Sequence, residues 1–181
     1  VLAVTPRDQH RYGFELHLDR DTGLPLKSLL LNEKGQLLER FQFTQLNTGA
    51  APAEDQLQAG AECQVVGPAK ADGEKTVAWR SEWLPPGFTL TRSFMRRSPV
   101  TPDPVACLTY GDGLARFSVF IEPLHGAMVG DARSQLGPTV VVSKRLQTDD
   151  GGQMVTVVGE VPLGTAERVA LSIRPEAAAQ K

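Results

Sequence analysis

The sequence predicts an α+β fold that is mainly antiparallel β and is divided into two blocks. Apolar residues alternate with polar ones over most of the chain, turn-forming residues separate these runs, and a helical period appears near the carboxyl end. With 181 residues, of which 41% are apolar and 22% charged, the chain can bury a core. We predict blocks at residues 1–50 and 76–181, joined by a linker with a short helix at 51–75.

The first block opens with a run from Tyr12 to Asp19 that alternates apolar and polar residues, which is typical of a half-buried strand. Turn residues follow, and further strands are predicted over 24–33 and 36–46. These strands cannot cover their own apolar face, because a sheet buries one face against another layer. We therefore interpret 1–50 as the carboxyl-terminal part of a larger curved-sheet domain, and we expect upstream residues to be missing because the chain begins with Val1.

Proline, glycine and alanine interrupt the pattern between the blocks. The stretches 47–52 and 67–73 are rich in strand-breaking residues, and proline with acidic residues opens one or two helical turns between them. A domain boundary is expected here.

The second block resumes the alternation and predicts a smaller antiparallel sheet. Its six predicted strands cover residues 76–81, 88–96, 105–110, 115–122, 139–146 and 154–161. Short turn signals at 111–113 and 149–152 make neighbouring strands antiparallel. Finally, an apolar stripe at helical spacing, formed by Ala166, Val169, Ala170 and Ile173, predicts one C-terminal helix that covers a face of the sheet.

Composition and charge narrow the possible functions. A net charge of −2 gives no electrostatic reason to bind nucleic acid, which requires clustered Lys and Arg. No nucleotide-binding, hydrolase or metalloprotease motif is present, so we predict no catalytic residues, no cofactor and no enzyme activity. His10, His17 and His125 are too scattered in sequence to suggest a metal site.

The two cysteines, Cys63 and Cys107, are far apart in sequence and lack metal-binding spacing. They could form one disulfide in an oxidising compartment or remain as two buried thiols. The residues alone leave both alternatives open.

Two features of the second block are candidates for partner contact. Arg92 and Arg96 could bind carboxylates or phosphates, or they could form a solvated edge that discourages aggregation. Phe120 falls on the polar side of its strand, where it could contact another chain or pack against a loop of its own. Trp79 and Trp83 are expected to anchor the core or the contact between blocks.

Several segments of the sequence, taken together, resemble the MucB/RseB family. The resemblance extends from about residue 6 to 173. The segments that show this resemblance are residues 11–28, Leu38-Glu-Arg-Phe41, Trp83-Leu-Pro-Pro-Gly-Phe88, Tyr110-Gly-Asp-Gly-Leu-Ala-Arg-Phe-Ser-Val-Phe-Ile-Glu122 and Val155-Thr-Val-Val-Gly-Glu-Val-Pro162.

The resemblance implies a periplasmic negative regulator of an envelope-stress sigma factor. Such proteins bind the periplasmic part of a transmembrane anti-sigma factor of the MucA or RseA type and shield it from the site-1 protease until a lipid or lipopolysaccharide signal displaces them. It also implies an N-terminal half-barrel-like sheet similar to lipoprotein carriers. A periplasmic location favours the Cys63–Cys107 disulfide.

We therefore expect the second block and the linker to hold the anti-sigma factor through Phe120, Arg92 and Arg96. The alternative is a lipid or lipoprotein carrier that uses the curved sheet as a trough. The sequence also leaves a homodimer open.

Overall fold

The computed structural model describes residues 1–49, 51–67, 77–97 and 103–176. Over these ranges the chain forms two antiparallel sheets, a two-stranded ribbon and one α-helix, which confirms the predicted fold class. The last part of the predicted linker, 68–75, and the start of the strand predicted at 76 lie outside the described residues.

The first sheet is an antiparallel meander whose four strands are paired in chain order. They are β1 (Leu2–Val4), β2 (Gly13–Leu18), β3 (Pro25–Leu31) and β4 (Leu37–Gln42). The predicted meander lacked β1, since three residues are too few for alternation to be visible. The turn between β2 and β3 has the expected chemistry: the Asp19 carboxylate accepts a hydrogen bond from the Thr22 N–H at 2.8 Å, and Gly23 has a φ of +72°.

The first sheet has little core of its own. Tyr12 and Leu30 are its buried apolar side chains within the described part of the chain, whereas Leu37 and Phe41 are more than half exposed. The first sheet therefore presents a substantial apolar surface.

The second sheet contains six antiparallel strands. In chain order they are β6 (Thr89–Arg97), β7 (Pro104–Gly111), β8 (Arg116–Pro123), β9 (Ala132–Leu136), β10 (Thr139–Thr148) and β11 (Gly151–Gly159). Their spatial order is β6-β7-β8-β11-β10-β9, so the chain leaves β8 for the far edge and returns through two hairpins. Strands β6 and β9 form the edges.

The helix α1 (Leu163–Ser172) covers one face of the second sheet. Its buried side chains include Ala166, Val169 and Ala170, as the helical spacing predicted, and Ile173 is buried just beyond its end. These residues pack against a layer of fully buried side chains from the sheet. That layer includes Val119, Val140, Val142, Val155 and Val157.

Two short strands form a ribbon beside this core. Strand β5 (Trp79–Ser81) pairs with β12 (Ile173–Pro175), which follows α1 directly. Trp79 and Trp83 pack against the core, as expected for anchoring residues. The linker contains an exposed single-turn 3₁₀-helix at Glu54–Leu57. No helix of the described residues is long and apolar enough to span a membrane.

The strand pattern of the sequence did not reveal β9. All five of its residues are exposed, so its pairing with β10 leaves no apolar alternation to detect.

We predict that Gly159→Ala destabilises the second sheet, because a Cβ at this position would lie 2.5 Å from the Phe117 Cβ and 2.6 Å from its Cα. Relieving this overlap requires a backbone shift, with an expected loss of about 1–3 kcal/mol in the free energy of unfolding. Urea denaturation of the variant and the parent measures it.

Gly164→Ala is the matched control. No atom lies within 4 Å of a Cβ built at Gly164 in α1, and alanine has the higher helix propensity. We expect its stability to be unchanged or higher. Equal stabilities for the two variants would contradict the role assigned to Gly159.

Candidate functional site

The face of the second sheet opposite α1, which we call the outer face, contains the side chains that the sequence nominated for partner contact. Successive side chains of a strand point to opposite faces, so the buried valine layer places the intervening residues outward. The outer face comprises Arg92, Phe94, Arg96, Val105, Cys107, Thr109, Arg116, Ser118, Phe120, Glu122, Val141, Ser143, Arg145, Met154, Thr156 and Val158.

A cross-strand row of Phe94, Cys107 and Phe120 forms the apolar centre of this face. The Arg96 guanidinium lies 5.2 Å from the centre of the Phe120 ring, and that of Arg92 lies 4.6 Å from the Phe94 ring. Both distances are within the range of cation–π attraction. The structure thus brings Phe120 and Arg96 into contact and places Arg92 one aromatic ring away, with Phe120 half-buried.

Hydroxyl groups continue the outer face beyond the aromatic row. Thr109 and Ser118 are hydrogen-bonded at 3.2 Å, and Ser143 and Thr156 at 3.0 Å. An open cleft of about 850 Å³ lies at one end of this face and includes Arg92 among its lining residues. The outer face therefore combines apolar, cationic and hydrogen-bonding groups, a composition common in protein interfaces.

The charge of the outer face differs from that of the whole chain. It has the positive side chains Arg92, Arg96, Arg116 and Arg145 against the negative side chain of Glu122, whereas the chain has a net charge of −2. Such a surface favours a partner segment with negative charge, because complementary charges accelerate encounter and select orientation.

The predicted Cys63–Cys107 disulfide is absent, because both cysteines are free thiols. Cys107 is 1% exposed within the aromatic row, whereas Cys63 lies in the exposed linker. The burial of Cys107 separates its sulfur from solvent, whereas Cys63 is accessible. Burial raises the pKa of the Cys107 thiol, and the nearby Arg96 offsets this effect in part.

Another group of interacting side chains, which we call the second cluster, lies where the first sheet meets the second sheet. Arg11 donates from Nε to the Asp112 carboxylate at 2.6 Å, and its terminal nitrogens donate to the Asp8 carboxylate and the Pro86 carbonyl. Its guanidinium also lies 4.9 Å from the centre of the Phe88 ring. One side chain from the first block therefore contacts three groups of the second.

Neighbouring residues of the same segment add further contacts between the blocks. The Tyr12 hydroxyl donates to the Val161 carbonyl at 3.1 Å, and the His10 Nδ1 lies 3.1 Å from the Thr165 Oγ1. The His10 ring also meets Trp83 edge-on, with the ring centres 5.1 Å apart. Trp83 is thus an anchor between the blocks.

The carboxylates of the second cluster have altered acidity. Partial burial raises the pKa of Asp112, but hydrogen bonds from Arg11 and from the N–H groups of Ala115 and Leu114 outweigh it, leaving the pKa below the ordinary value of 3.8. The pKa of Asp8 is lowered in the same way, by bonds from the His10 N–H and from Arg11 that exceed the effect of burial. Both groups therefore favour the ionised form beside Arg11.

The histidines remain apart. His17 contacts Glu15 at 2.7 Å and His125 contacts Asp103 at 3.1 Å, while His10 lies between the blocks. Within the described ranges, no group of three or more His, Cys, Asp and Glu side chains is arranged to hold a metal ion.

Comparison with known families identifies both blocks. Residues 1–61 match the model of the MucB/RseB N-terminal domain, and residues 73–174 match that of the MucB/RseB C-terminal domain. The chain belongs to the MucB/RseB family. The predicted domain limits stay predictions, but the family resemblance read from the sequence is confirmed.

Relatives of known function are regulatory proteins by name. The chain is 32% identical over 177 residues to the sigma-E factor regulatory protein RseB of Salmonella typhimurium, covering 96% of this chain and 54% of that protein. It is 23% identical over 176 residues to RseB of Haemophilus influenzae, with the same coverage. The chain thus spans about half the length of these MucB/RseB relatives.

Solved MucB structures are more similar still. A chain from the complex structure of Pseudomonas aeruginosa MucA/MucB is 95% identical, with a TM-score of 0.88 over 97% of this chain and 59% of that one. A crystal structure of MucB in complex with MucA(peri) gives the same score, covering 97% of this chain and 61% of that one. A crystal structure of MucB scores 0.63 at 88% identity, covering 96% of this chain and 56% of that one.

The sequence did not indicate every residue of the outer face or of the second cluster. Phe94 was not selected, although Arg92, Phe94 and Arg96 occupy every second position of β6 and so share a face. No local sequence pattern marks Arg11, because its partner Asp112 lies 101 residues away along the chain.

We predict that a thiol reagent such as DTNB at pH 8 modifies one cysteine of the folded protein rapidly and the other only on unfolding. Cys63 is exposed, while Cys107 is buried and its raised pKa lowers the thiolate fraction. Cys63→Ser is expected to remove the rapid phase. A folded protein with no titratable thiol would instead indicate the disulfide.

Proposed function

We propose that this protein is a periplasmic negative regulator of an envelope-stress sigma factor. In this role it binds the periplasmic segment of a transmembrane anti-sigma factor of the MucA type and shields that segment from site-1 proteolysis. The observation that carries the proposal is the 95% identity, over 97% of the chain, to MucB chains solved together with MucA. The sigma-E regulatory role of the RseB relatives supports the same reading.

The proposed mechanism is steric. A protease must draw an extended segment of its substrate into its own active site, and a segment held against a folded surface is not available to it. A specific, stable complex buries about 1,200–2,000 Å² in total, which is enough to cover a cleavage site and its flanks. Such protection requires only binding.

We propose the outer face as the surface that holds the anti-sigma factor. Phe120 and Phe94 provide apolar area, and Arg92 and Arg96 lie over these rings, where they can donate to carboxylates of the partner. Arginine and aromatic side chains are the residues that most often dominate interface energies. The excess of positive charge on this face would favour an acidic segment.

The lipid-type signal that ends protection is proposed to act on the first sheet. Leu37, Phe41 and Phe43 are 43–58% exposed there, and the two phenylalanine rings meet edge-on with centres 5.5 Å apart. Acyl chains bind apolar surfaces of this kind.

The same surface favours a second candidate function, that of a lipid or lipoprotein carrier. A carrier would need the first sheet but not the outer face of the second. Mass spectrometry of the purified protein separates the two readings, because a carrier is expected to retain acyl ligand at near-stoichiometric amounts and to leave an anti-sigma segment unprotected.

We predict that the double variant Phe120→Ala, Arg92→Ala loses protection of the MucA periplasmic domain against the site-1 protease. Removing one aromatic and one arginine from the centre of an interface is expected to weaken binding about tenfold or more. Cleavage rates at several concentrations of the regulator measure this loss.

The matched control removes the same kinds of side chain from elsewhere on the second block. Leu171 is 62% exposed on α1 and the Arg133 side chain is 71% exposed on β9, so Leu171→Ala, Arg133→Ala should leave protection intact. If the first variant protects as well as the parent, the anti-sigma contact lies elsewhere.

A further inference from the structure

We propose that Arg11 is a positioning residue that sets how the two sheets are placed relative to each other, and thereby controls binding of the anti-sigma factor. This inference rests on the proposed function. It concerns the second cluster, which lies apart from the outer face.

In the described residues, the side-chain hydrogen bonds between the blocks come from one short segment. His10, Arg11 and Tyr12, which precede β2, make these bonds, and no strand of the first sheet pairs with a strand of the second in the described residues. Because no hydrogen-bonded ladder joins the sheets, their relative placement depends on a few side chains. Interfaces of this type between domains permit motion unless they are large and apolar.

Arg11 is central within that segment because it joins carboxylates from both blocks. Asp8 belongs to the first block and Asp112 to the β7–β8 turn of the second, and Arg11 lies between them. Its side chain is 19% exposed and that of Asp112 is 14% exposed, so water screens these charges only in part. The planar guanidinium can donate to both carboxylates and to the Pro86 carbonyl together.

Removing the Arg11 charge would turn an attraction into a repulsion. Two ionised carboxylates would then face each other across the contact with no cation between them, and like charges in a partly buried site repel. An aspartate carboxyl has an ordinary pKa of 3.8, and both groups keep backbone N–H hydrogen bonds that favour the ionised form, so neither would be protonated near neutral pH. The expected response is separation of the sheets rather than unfolding of either one.

The solved MucB structures differ in how closely they superpose on this structure. The chains from the two MucA complexes superpose on this structure better than the chain from the crystal structure of MucB does. The structure that contains the Arg11–Asp112 contact is thus more similar overall to the MucB chains solved with MucA.

The test combines a distance measurement with a binding measurement on the full chain. Spin labels are attached at Lys34→Cys in the first block and Asp149→Cys in the second, on a Cys63→Ser background, since both chosen positions are exposed. Distances are recorded by electron–electron double resonance. Affinity for the MucA periplasmic domain is titrated in parallel on the unlabelled proteins.

We expect Arg11→Gln to shift or broaden the distance distribution and to weaken binding about tenfold, within the usual range of coupling between sites. Adding Asp8→Asn to Arg11→Gln removes the repulsion and should restore part of both signals. A residue that merely supported folding would not be rescued by neutralising a carboxylate. Unchanged thermal unfolding of the second sheet, followed by tryptophan fluorescence, checks that the block stays folded.

Arg133→Gln serves as the matched control, because it removes an arginine and its ion pair with Glu167 within the second block alone. An Arg11→Gln distance distribution identical to the parent's would overturn the proposal, and so would a shifted distribution with unchanged affinity. If the parent protein itself fails to bind the MucA domain, the proposed function is wrong. The proposed effect of Arg11 on binding is then wrong as well. In that case the distances still report on the contact independently.

Discussion

The packing of α1 against the valine layer of the second sheet is the interaction on which the rest of the structure depends. Branched side chains from neighbouring strands and small residues of the helix exclude water from one face, and burial of this kind is the main favourable term in folding. Strand register follows from it, since a slip by one residue would bring arginines and hydroxyls under the helix. The covered face therefore determines which side chains the opposite face displays.

Most of the fully buried side chains of the second sheet lie on the face that α1 covers, which leaves much of the outer face available for function. Replacing a buried valine would leave a cavity and disturb every strand nearby, whereas most residues of the outer face are partly or fully exposed. A surface that binds a partner can vary more freely under such conditions. The first sheet is different, because in the described ranges its leucines and phenylalanines are exposed and no buried layer like that of the second sheet lies beneath them.

Local patterns were sufficient to predict most of the secondary structure and to nominate three residues of the outer face. Alternation located the longer strands, and helical spacing located α1, because both patterns repeat within a few residues. The row of Phe94, Cys107 and Phe120 could not be read in this way, since it depends on the registers of three strands. The Arg11 cluster depends on the meeting of two blocks, and the burial of Cys107 depends on side chains that only the folded sheet brings around it.

The stacking of arginines on aromatic rings also affects the entropy of association. A free arginine loses rotamer freedom when a partner orders it, at about 0.5–1.5 kcal/mol for each side chain of this kind. Arg92 and Arg96 already lie over the rings of Phe94 and Phe120, so part of that freedom is lost when the protein folds. A surface ordered in advance holds its donors where a flexible partner segment can meet them, and the partner then accounts for most of the ordering on binding.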